Sequence, residues 1–199
     1  MIKYIMGYVN VFILVVTINL FAQPHMQYVI RNVDYSDKEN LMALYKRVTA
    51  LPGGLIRTPS EVTDGYIDDL LKNGINQGLC LVVDCNGLLI GAMTKYKLGP
   101  QNFAHVFSGG SILVDPAYQG IGVGTHLITT FLEQIKEQYH DILRVEIVVR
   151  ESNPAISLYK RLGFIEEGRL EKRSHTKTGS LEADIQMVWF NPNYKHNNE

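Results

Sequence analysis

The chain has 199 residues, of which 46% are hydrophobic and 20% are charged. This length and apolar fraction predict a single compact domain with its own core, and they exclude a disordered or collagen-like chain. Nineteen Lys and Arg residues against twenty Asp and Glu residues give a net charge of −1. A nucleic-acid partner is therefore not expected, because binding along a phosphate backbone needs a basic excess. The two cysteines, Cys80 and Cys85, predict neither a disulfide framework nor a zinc site.

Residues 4–22 form an almost wholly apolar stretch that follows Lys3. As a helix they would span about 28 Å, close to the thickness of a bilayer core. Three interpretations stay open: a signal peptide, a membrane anchor, or upstream sequence ahead of a true start at Met26. Membrane contact is expected only if this stretch is retained. The predicted organisation is a hydrophobic segment 1–25, a domain 26–191 and a polar tail 192–199.

The domain opens with a predicted strand over 28–32. A helix is predicted over 37–50, because apolar residues recur there at helical spacing. Thr58-Pro59-Ser60-Glu61 is a capping box with proline at the first helical position. It predicts a second helix that ends near Asn73.

Strands dominate the middle of the chain. Two are predicted over 79–84 and 88–98, because Asn86-Gly87 between two apolar runs is a strong hairpin pattern. A fourth strand is predicted over 104–114, after a loop.

The last third alternates between helices and strands. A long helix is predicted over 122–139, then a buried strand over 145–149. Asn153 caps a short helix that starts at Pro154, and two closing strands follow at 164–173 and 181–189. The order βααβββαβαββ predicts an α+β fold with one mixed central sheet flanked by helices.

Gly120, Gly122 and Gly124 alternate in the turn between the fourth strand and the long helix. Glycines let a ligand approach the backbone, and a helix N-terminus offers unpaired N–H groups with partial positive charge. The turn therefore predicts a phosphate or pyrophosphate site. No Lys follows at Walker-A spacing, so ATP hydrolysis is not expected. Dinucleotide binding stays a weaker alternative, because a Rossmann unit normally opens with such a turn.

The residues around this turn resemble a known family. Gln119-x-x-Gly122-x-Gly124, after a strand that ends in Leu113-Val114-Asp115-Pro116, resembles motif A of the Gcn5-related N-acetyltransferases (GNAT). Residues 153–164 resemble motif B of that family, with an Asn ahead of a helix, a Leu-Tyr pair on it and Gly-Phe after it. The element order agrees from Tyr28 onward. Residues 167–187 also resemble the bacterial branches that act on small molecules and amino acids.

The resemblance implies acetyl-CoA as co-substrate and no metal. The backbone from Gln119 to Gly124 would hold the pyrophosphate, with a hydroxyl from Thr125, and two strand residues would pair their main chains with the pantetheine. Gln119 is otherwise an exposed loop residue, and Asn153 is explained equally well as a helix cap. The implied cofactor-binding residues are Leu113, Val114, Gln119, Gly120, Ile121, Gly122, Val123, Gly124, Thr125 and Asn153.

Tyr159 is the candidate catalytic residue. Its phenol, protonated at neutral pH, could donate a proton to the departing thiolate, although a core role would also explain a tyrosine on the inward helix face. A main-chain N–H near Val114 would stabilise the oxyanion. Many relatives place a glutamate on the strand before motif A, where this chain has residues 108–111, Ser-Gly-Gly-Ser. His105 and Glu146 are candidate bases, and the base stays unassigned.

The predicted function is N-acetyl transfer from acetyl-CoA to a primary amine of a small molecule or amino acid. A catalytically inactive acyl-CoA-binding regulator is the alternative. The predicted location is the cytoplasm, with export or membrane anchoring as alternatives, and a homodimer is left open. The acceptor would lie between the first two helices and the closing strands, lined by 52–55 and 174–180. Basic residues in that hairpin either attract an acidic group or are simply solvated; they are Lys172, Arg173, His175 and Lys177.

Overall fold

The computed structural model describes residues 26–51, 55–176 and 178–195, so the predictions for residues 1–25 lie outside it. Within those ranges, no helix is long and apolar enough to cross a bilayer. The strands are β1 (Val29–Asn32), β2 (Gly78–Cys85), β3 (Leu88–Tyr96), β4 (Val106–Phe107), β5 (Gly109–Val114), β6 (Arg144–Arg150), β7 (Ile165–His175) and β8 (Leu181–Phe190). The helices are α1 (Lys38–Ala50), α2 (Asp64–Gln77), α3 (Val123–Gln138) and α4 (Ile156–Arg161).

The strands form two four-stranded sheets. The first has the order β1-β2-β3-β5 and is antiparallel throughout. The second has the order β4-β6-β8-β7, and its β4–β6 pair is parallel. The predicted order βααβββαβαββ is confirmed when β4 and β5 are counted as one strand. The single mixed sheet was wrong in detail, because this strand is broken and each half belongs to a different sheet.

The break lies at Ser108, inside the strand predicted over 104–114. The Ser108 N–H donates to the Tyr96 carbonyl over 3.1 Å, and Gly109 opposes the same residue in the β3–β5 ladder. A Cβ at Gly109 would overlap the Tyr96 ring, and one at Gly110 would overlap the Thr94 carbonyl oxygen. Two glycines therefore allow β5 to lie tightly against β3, while β4 pairs with β6. A gap opens between β5 and β6.

Gly110→Ala should lower the free energy of unfolding by more than the strain of a positive φ alone, because the added Cβ would also overlap the neighbouring strand. Gly110 has φ +104° and Gly99 has φ +101°, but a Cβ at Gly99 would meet nothing within 4 Å. We expect Gly99→Ala to cost about 1 kcal/mol and Gly110→Ala roughly 3 kcal/mol or more, because the added Cβ must displace strand backbone. Urea unfolding of both variants measures the difference. Equal losses would show that β3 and β5 can separate freely at this point.

Two apolar clusters hold the layers together. One lies between α1, α2 and one face of the first sheet, and it includes Leu41, Tyr45 and Ile67. The other packs α3 against the opposite face and against the second sheet. Five apolar residues that recur at helical spacing along α3 are all buried, namely Leu127, Ile128, Phe131, Leu132 and Ile135. Helical periodicity therefore identified the core face of α3 correctly.

The second helix begins later than predicted. The capping box forms, since the Thr58 N–H donates to Glu61 Oε2 over 2.7 Å, but it closes a single 3-10 turn over Pro59–Glu61. The chain then leaves helical geometry at Val62, whose side chain is buried against α1 and α2. Helix α2 starts anew with Thr63, whose hydroxyl accepts from the Tyr66 N–H over 3.2 Å. The capping box was therefore predicted correctly, but the burial of Val62 separates it from the α-helix that was expected to follow directly.

Both cysteines are free thiols. Cys80 is buried with its Sγ 2.9 Å from Thr94 Oγ1, and burial raises the pKa of this thiol to about 12. Cys85 is half-buried at the end of β2. Cys80 is accordingly an inert core residue.

Candidate functional site

The β3–β5 ladder determines which backbone groups face the gap between β5 and β6. The Asp115 N–H donates to the Ile90 carbonyl over 2.8 Å, so hydrogen-bonded positions alternate back along β5 from there. The N–H and C=O groups of Leu113 therefore face β3. Those of Ile112 and Val114 point the opposite way, toward β6. One wall of the gap is thus a strand edge that has no partner strand on this side.

Leu113 and Val114, which the sequence analysis assigned to the same main-chain role, have opposite backbone orientations in the structure. Val114 presents its backbone to the gap. Leu113 does not, and its side chain is 4% exposed in the cluster beneath α1 and α2. A main-chain role in the gap therefore falls to Val114 and its neighbour Ile112.

The loop after β5 folds back onto the strand. The carboxylate of Asp115 accepts from the Ala117 N–H over 3.0 Å and starts a 3-10 turn, Pro116–Tyr118. The Gln119 side chain then donates through Nε2 to the Val114 carbonyl over 3.0 Å. Gln119 thereby holds the loop against the end of β5, as expected for a residue that sets the loop.

Arg47 on α1 is a residue of this region that sequence reasoning missed. Its Nε lies 2.6 Å from Asp115 Oδ2, and its Nη2 donates to the Leu89 carbonyl over 2.8 Å. Asp115 is buried, so this charge-assisted contact is a strong one. It fastens α1 to the start of the glycine turn. Sequence spacing carries no signal for such a pair, because 68 positions separate its members.

The three glycines of the turn differ in whether the backbone conformation requires glycine at their position. Gly120 has φ +76° and Gly122 has φ +94°, a backbone region that favours glycine, and a Cβ at either would meet open space. Two of the three glycines are therefore needed for the turn itself. Gly124 has no positive φ, and its Cβ would lie 3.5 Å from Val114 Cγ2, an ordinary contact. The fold therefore does not require a glycine at position 124.

The glycine turn ends at the N-terminus of α3. Gly122 is the N-cap and has no side chain to bond the first N–H groups. The first helical bond runs from the His126 N–H to the Gly122 carbonyl over 3.0 Å. The N–H groups of the three preceding residues therefore point out of the helix end; they belong to Val123, Gly124 and Thr125. The neighbouring Ile121 is 61% exposed, so this end is open to an anion.

The turn before α4 depends on Asn153. Its Oδ1 accepts from the Ala155 N–H over 2.9 Å and closes a turn ahead of the helix. The predicted cap was wrong, because α4 starts at Ile156 and not at Pro154, and its N-cap is Ala155. With the oxygen engaged, Nδ2 is the atom of Asn153 that could reach a ligand.

Tyr159 lies on α4, the helix that follows β6. Its side chain is 7% exposed and its ring makes an edge contact with Phe164, with centroids 5.7 Å apart. Among the described residues its hydroxyl has no hydrogen-bond partner. The hydroxyl is nevertheless not cut off from solvent, since His140 Nδ1 is the one side-chain polar atom among these residues that lacks both solvent contact and a partner. The Tyr159 hydroxyl therefore reaches an opening. Burial raises its pKa to about 12, so it remains a proton donor at neutral pH.

The two candidate bases lie in different settings. His105 precedes β4, and its carbonyl accepts from the Leu143 and Arg144 N–H groups. Glu146 lies on β6 and lines a cavity of about 170 Å³. The other lining residues are Leu98, Phe103, Val106 and Ser108.

The basic residues of the β7–β8 hairpin are largely solvated. Lys172, Arg173 and His175 are exposed, and Lys177 lies outside the described residues. Arg173 Nε is 3.7 Å from the buried carboxylate of Asp184. This part of the hairpin therefore fits the solvated interpretation better than an anion site. Of the predicted lining segment 52–55, Leu55 is described, and its carbonyl accepts from Arg150 Nη2 over 3.0 Å.

Comparison with known proteins gives a consistent result. A family model described as an acetyltransferase (GNAT) domain matches residues 76–166. This range contains β3, β5, the glycine turn, α3 and Tyr159.

Individual relatives are distant. The chain is 29% identical over 145 residues to an uncharacterized N-acetyltransferase of Methanocaldococcus jannaschii, covering 70% of this chain and 62% of that protein. It is 36% identical over 81 residues to the [ribosomal protein bS18]-alanine N-acetyltransferase of Haemophilus influenzae, covering 40% and 53%. The matches thus span less than two thirds of these relatives. An acetyltransferase of Salmonella typhimurium, solved with its cofactor acetyl-CoA, superposes with a TM-score of 0.71 at 18% identity over 85% of this chain and 96% of that one.

Proposed function

The chain belongs to the GNAT acetyltransferase family, and from that premise we propose that it transfers the acetyl group of acetyl-CoA to a primary amine of a small molecule or an amino acid. The observation that carries the proposal is the gap between β5 and β6. A strand edge without a partner strand, an uncapped helix end and a buried phenol that none of the described residues bonds belong to the elements around it. We also place this reaction in the cytoplasm, where acetyl-CoA is supplied.

The residues present fit acetyl-CoA. The open space at Gly120 and Gly122, together with the α3 N–H groups, suits a pyrophosphate. The edge of β5 suits the amide groups of pantetheine, which can bond Ile112 and Val114 as an added strand would. Gln119 holds the loop, and Asn153 Nδ2 offers a donor beside the other wall of the gap.

The proposed mechanism is direct acyl transfer. A neutral amine attacks the thioester carbon while a main-chain N–H near Val114 donates to the developing oxyanion. The carbon–sulfur bond breaks, and Tyr159 gives its proton to the leaving thiolate. Because an alkyl ammonium has a pKa of about 10.4, a further group must take the proton of the acceptor at neutral pH.

The experiment that tests the proposal is calorimetric titration of the protein with acetyl-CoA, with free coenzyme A and NAD run in parallel, followed by a thiol-release assay. Ethylamine, spermidine and an alanyl peptide serve as probe amines. We expect micromolar binding of acetyl-CoA, no binding of NAD, and thiol release with at least one amine. Binding without any thiol release would favour the regulator, whose support is the absence of a glutamate at residues 108–111. Absence of acetyl-CoA binding to folded protein would contradict the assignment of the glycine turn.

A further inference from the structure

Glu146 lies at the point where β4 and β5 separate. The parallel β4–β6 pairing places Val106 opposite Arg144 and Phe107 opposite Val145. Continued by one residue, this register brings Glu146 beside Ser108, the residue of the break. Glu146 therefore stands at the closed end of the gap, next to the strand segment that lacks a carboxylate of its own.

The Glu146 carboxylate has access to water. Its side chain is 31% exposed and contributes to the cavity of about 170 Å³ described above. A water molecule occupies about 30 Å³ in the liquid, so this volume holds several. Ser108 and Glu146 supply polar partners, and Leu98, Phe103 and Val106 form an apolar rim. Such a cavity can pass a proton between the gap and the carboxylate through a water molecule.

The charged groups that face Glu146 come from three elements. On its own strand, Arg144 Nε contacts Glu146 Oε1 over 2.8 Å, and the same guanidinium pairs with Glu167 on β7. On β3, Lys95 is buried with its Nζ 3.4 Å from the Ser108 carbonyl oxygen, and burial lowers its pKa to about 8. On β8, the residue opposite Glu146 is the apolar Val188. Glu146 and Glu167 thus share one cation, but Glu146 alone of the two lines the cavity.

On the premise of the proposed function, we propose that Glu146 is the proton acceptor of the reaction. The ammonium of the acceptor gives one proton, through a water in this cavity, to the Glu146 carboxylate, and the freed nitrogen lone pair forms the bond to the thioester carbon. The carbon–sulfur bond breaks, Tyr159 protonates the thiolate, and the second proton that leaves the nitrogen restores Tyr159. Glu146 then loses its proton to solvent, so one proton is released for each amide formed.

Glu146→Gln tests this assignment, with Glu167→Gln as the matched control that also removes a partner of Arg144. The assay is thiol release with the probe amine that the parent turns over fastest, at pH values between about 7 and 10. We expect kcat of Glu146→Gln to fall roughly 100-fold near pH 7, with unchanged acetyl-CoA affinity. The defect should shrink to less than about 10-fold at a pH near the pKa of the amine, about 10.4 for an alkyl amine and about 8 for the alanyl peptide, because the amine is then partly neutral without help. Glu167→Gln should stay within about twofold of the parent.

Two results would overturn the assignment. If Glu146→Gln keeps the parent kcat, or loses the same factor at every pH, Glu146 does not take the proton and the proposed function stands without it. If the parent binds acetyl-CoA but turns over no probe amine, the proposed function fails, and the role of Glu146 fails with it.

Discussion

Tyr159→Phe should reduce kcat by about 100-fold or more while leaving the affinity for acetyl-CoA unchanged. The substitution removes one oxygen atom, and proton donation by a positioned side chain contributes about 10²–10⁴-fold to a rate. Stability should stay the same or rise slightly, because none of the residues that the structure describes bonds the phenol. Thiol release and calorimetric titration measure the two quantities separately.

A matched control for this substitution is Tyr139→Phe. The Tyr139 hydroxyl donates to the Gly78 carbonyl over 3.2 Å, at the far end of α3. Its loss should lower stability by about 1 kcal/mol and leave kcat unchanged. If Tyr159→Phe behaves like this control, Tyr159 is a core residue and the thiolate leaves without its help.

The raised pKa of Tyr159 has its own pH signature. The phenol ionises near pH 10 in an unfolded chain but at about 12 in the folded protein. The folded state therefore binds the proton more tightly, so the contribution of Tyr159 to stability is lost as pH rises from about 10 toward 12. Below pH 10 the residue stays protonated, and it cannot cause an alkaline loss of activity there. Tyr159→Phe should lack this part of the alkaline destabilisation in urea titrations.

Gly124→Asp should weaken acetyl-CoA binding by at least about 100-fold without lowering the melting temperature. A carboxylate in the first turn of α3 is favourable for the helix, by about 0.3–1 kcal/mol. The same carboxylate would compete with a phosphate for the uncapped N–H groups and repel it. Binding and stability should thus change in opposite directions, a result that damage to the fold cannot produce. Calorimetric titration and thermal unfolding of one preparation provide both numbers.

Gly124→Ala provides the graded comparison. Its Cβ would make an ordinary contact with Val114, and replacing glycine in a helix gains about 0.5–1 kcal/mol. We expect a higher melting temperature and roughly 10-fold weaker binding, because one methyl group then occupies the approach to the backbone. Unchanged affinity in both variants would exclude this turn as the pyrophosphate site.

The sequence predicts the parts of the site that depend on local chemistry. The glycine turn, the α3 face that includes Phe131, and the turn at Asn153 each follow from residues close together in the chain. The family resemblance then points to Tyr159 on the inward face of its helix. The opening around the Tyr159 hydroxyl required the structure, because it depends on which side chains surround α4.

Other parts depend on contacts that no local pattern contains. Gly109 and Gly110 interrupt the strand propensity of residues 104–114, but the sequence does not say that one half pairs with β6 and the other with β3. The opposite orientations of Leu113 and Val114 follow from the phase of the ladder with β3. Arg47 and Glu146 acquire their importance from neighbours that are distant in sequence. Element type was therefore predictable here, whereas pairing partners were not.

The free edge of β5 has a consequence for the protein without bound acetyl-CoA. A strand edge without a partner strand is a template for any extended chain, including another copy of the same protein. Bound acetyl-CoA would fill that template and stabilise the fold by mass action, by about 2.7 kcal/mol at a concentration 100 times Kd. The supply of the donor would then govern how much of the protein remains dispersed and intact, as well as how fast it works.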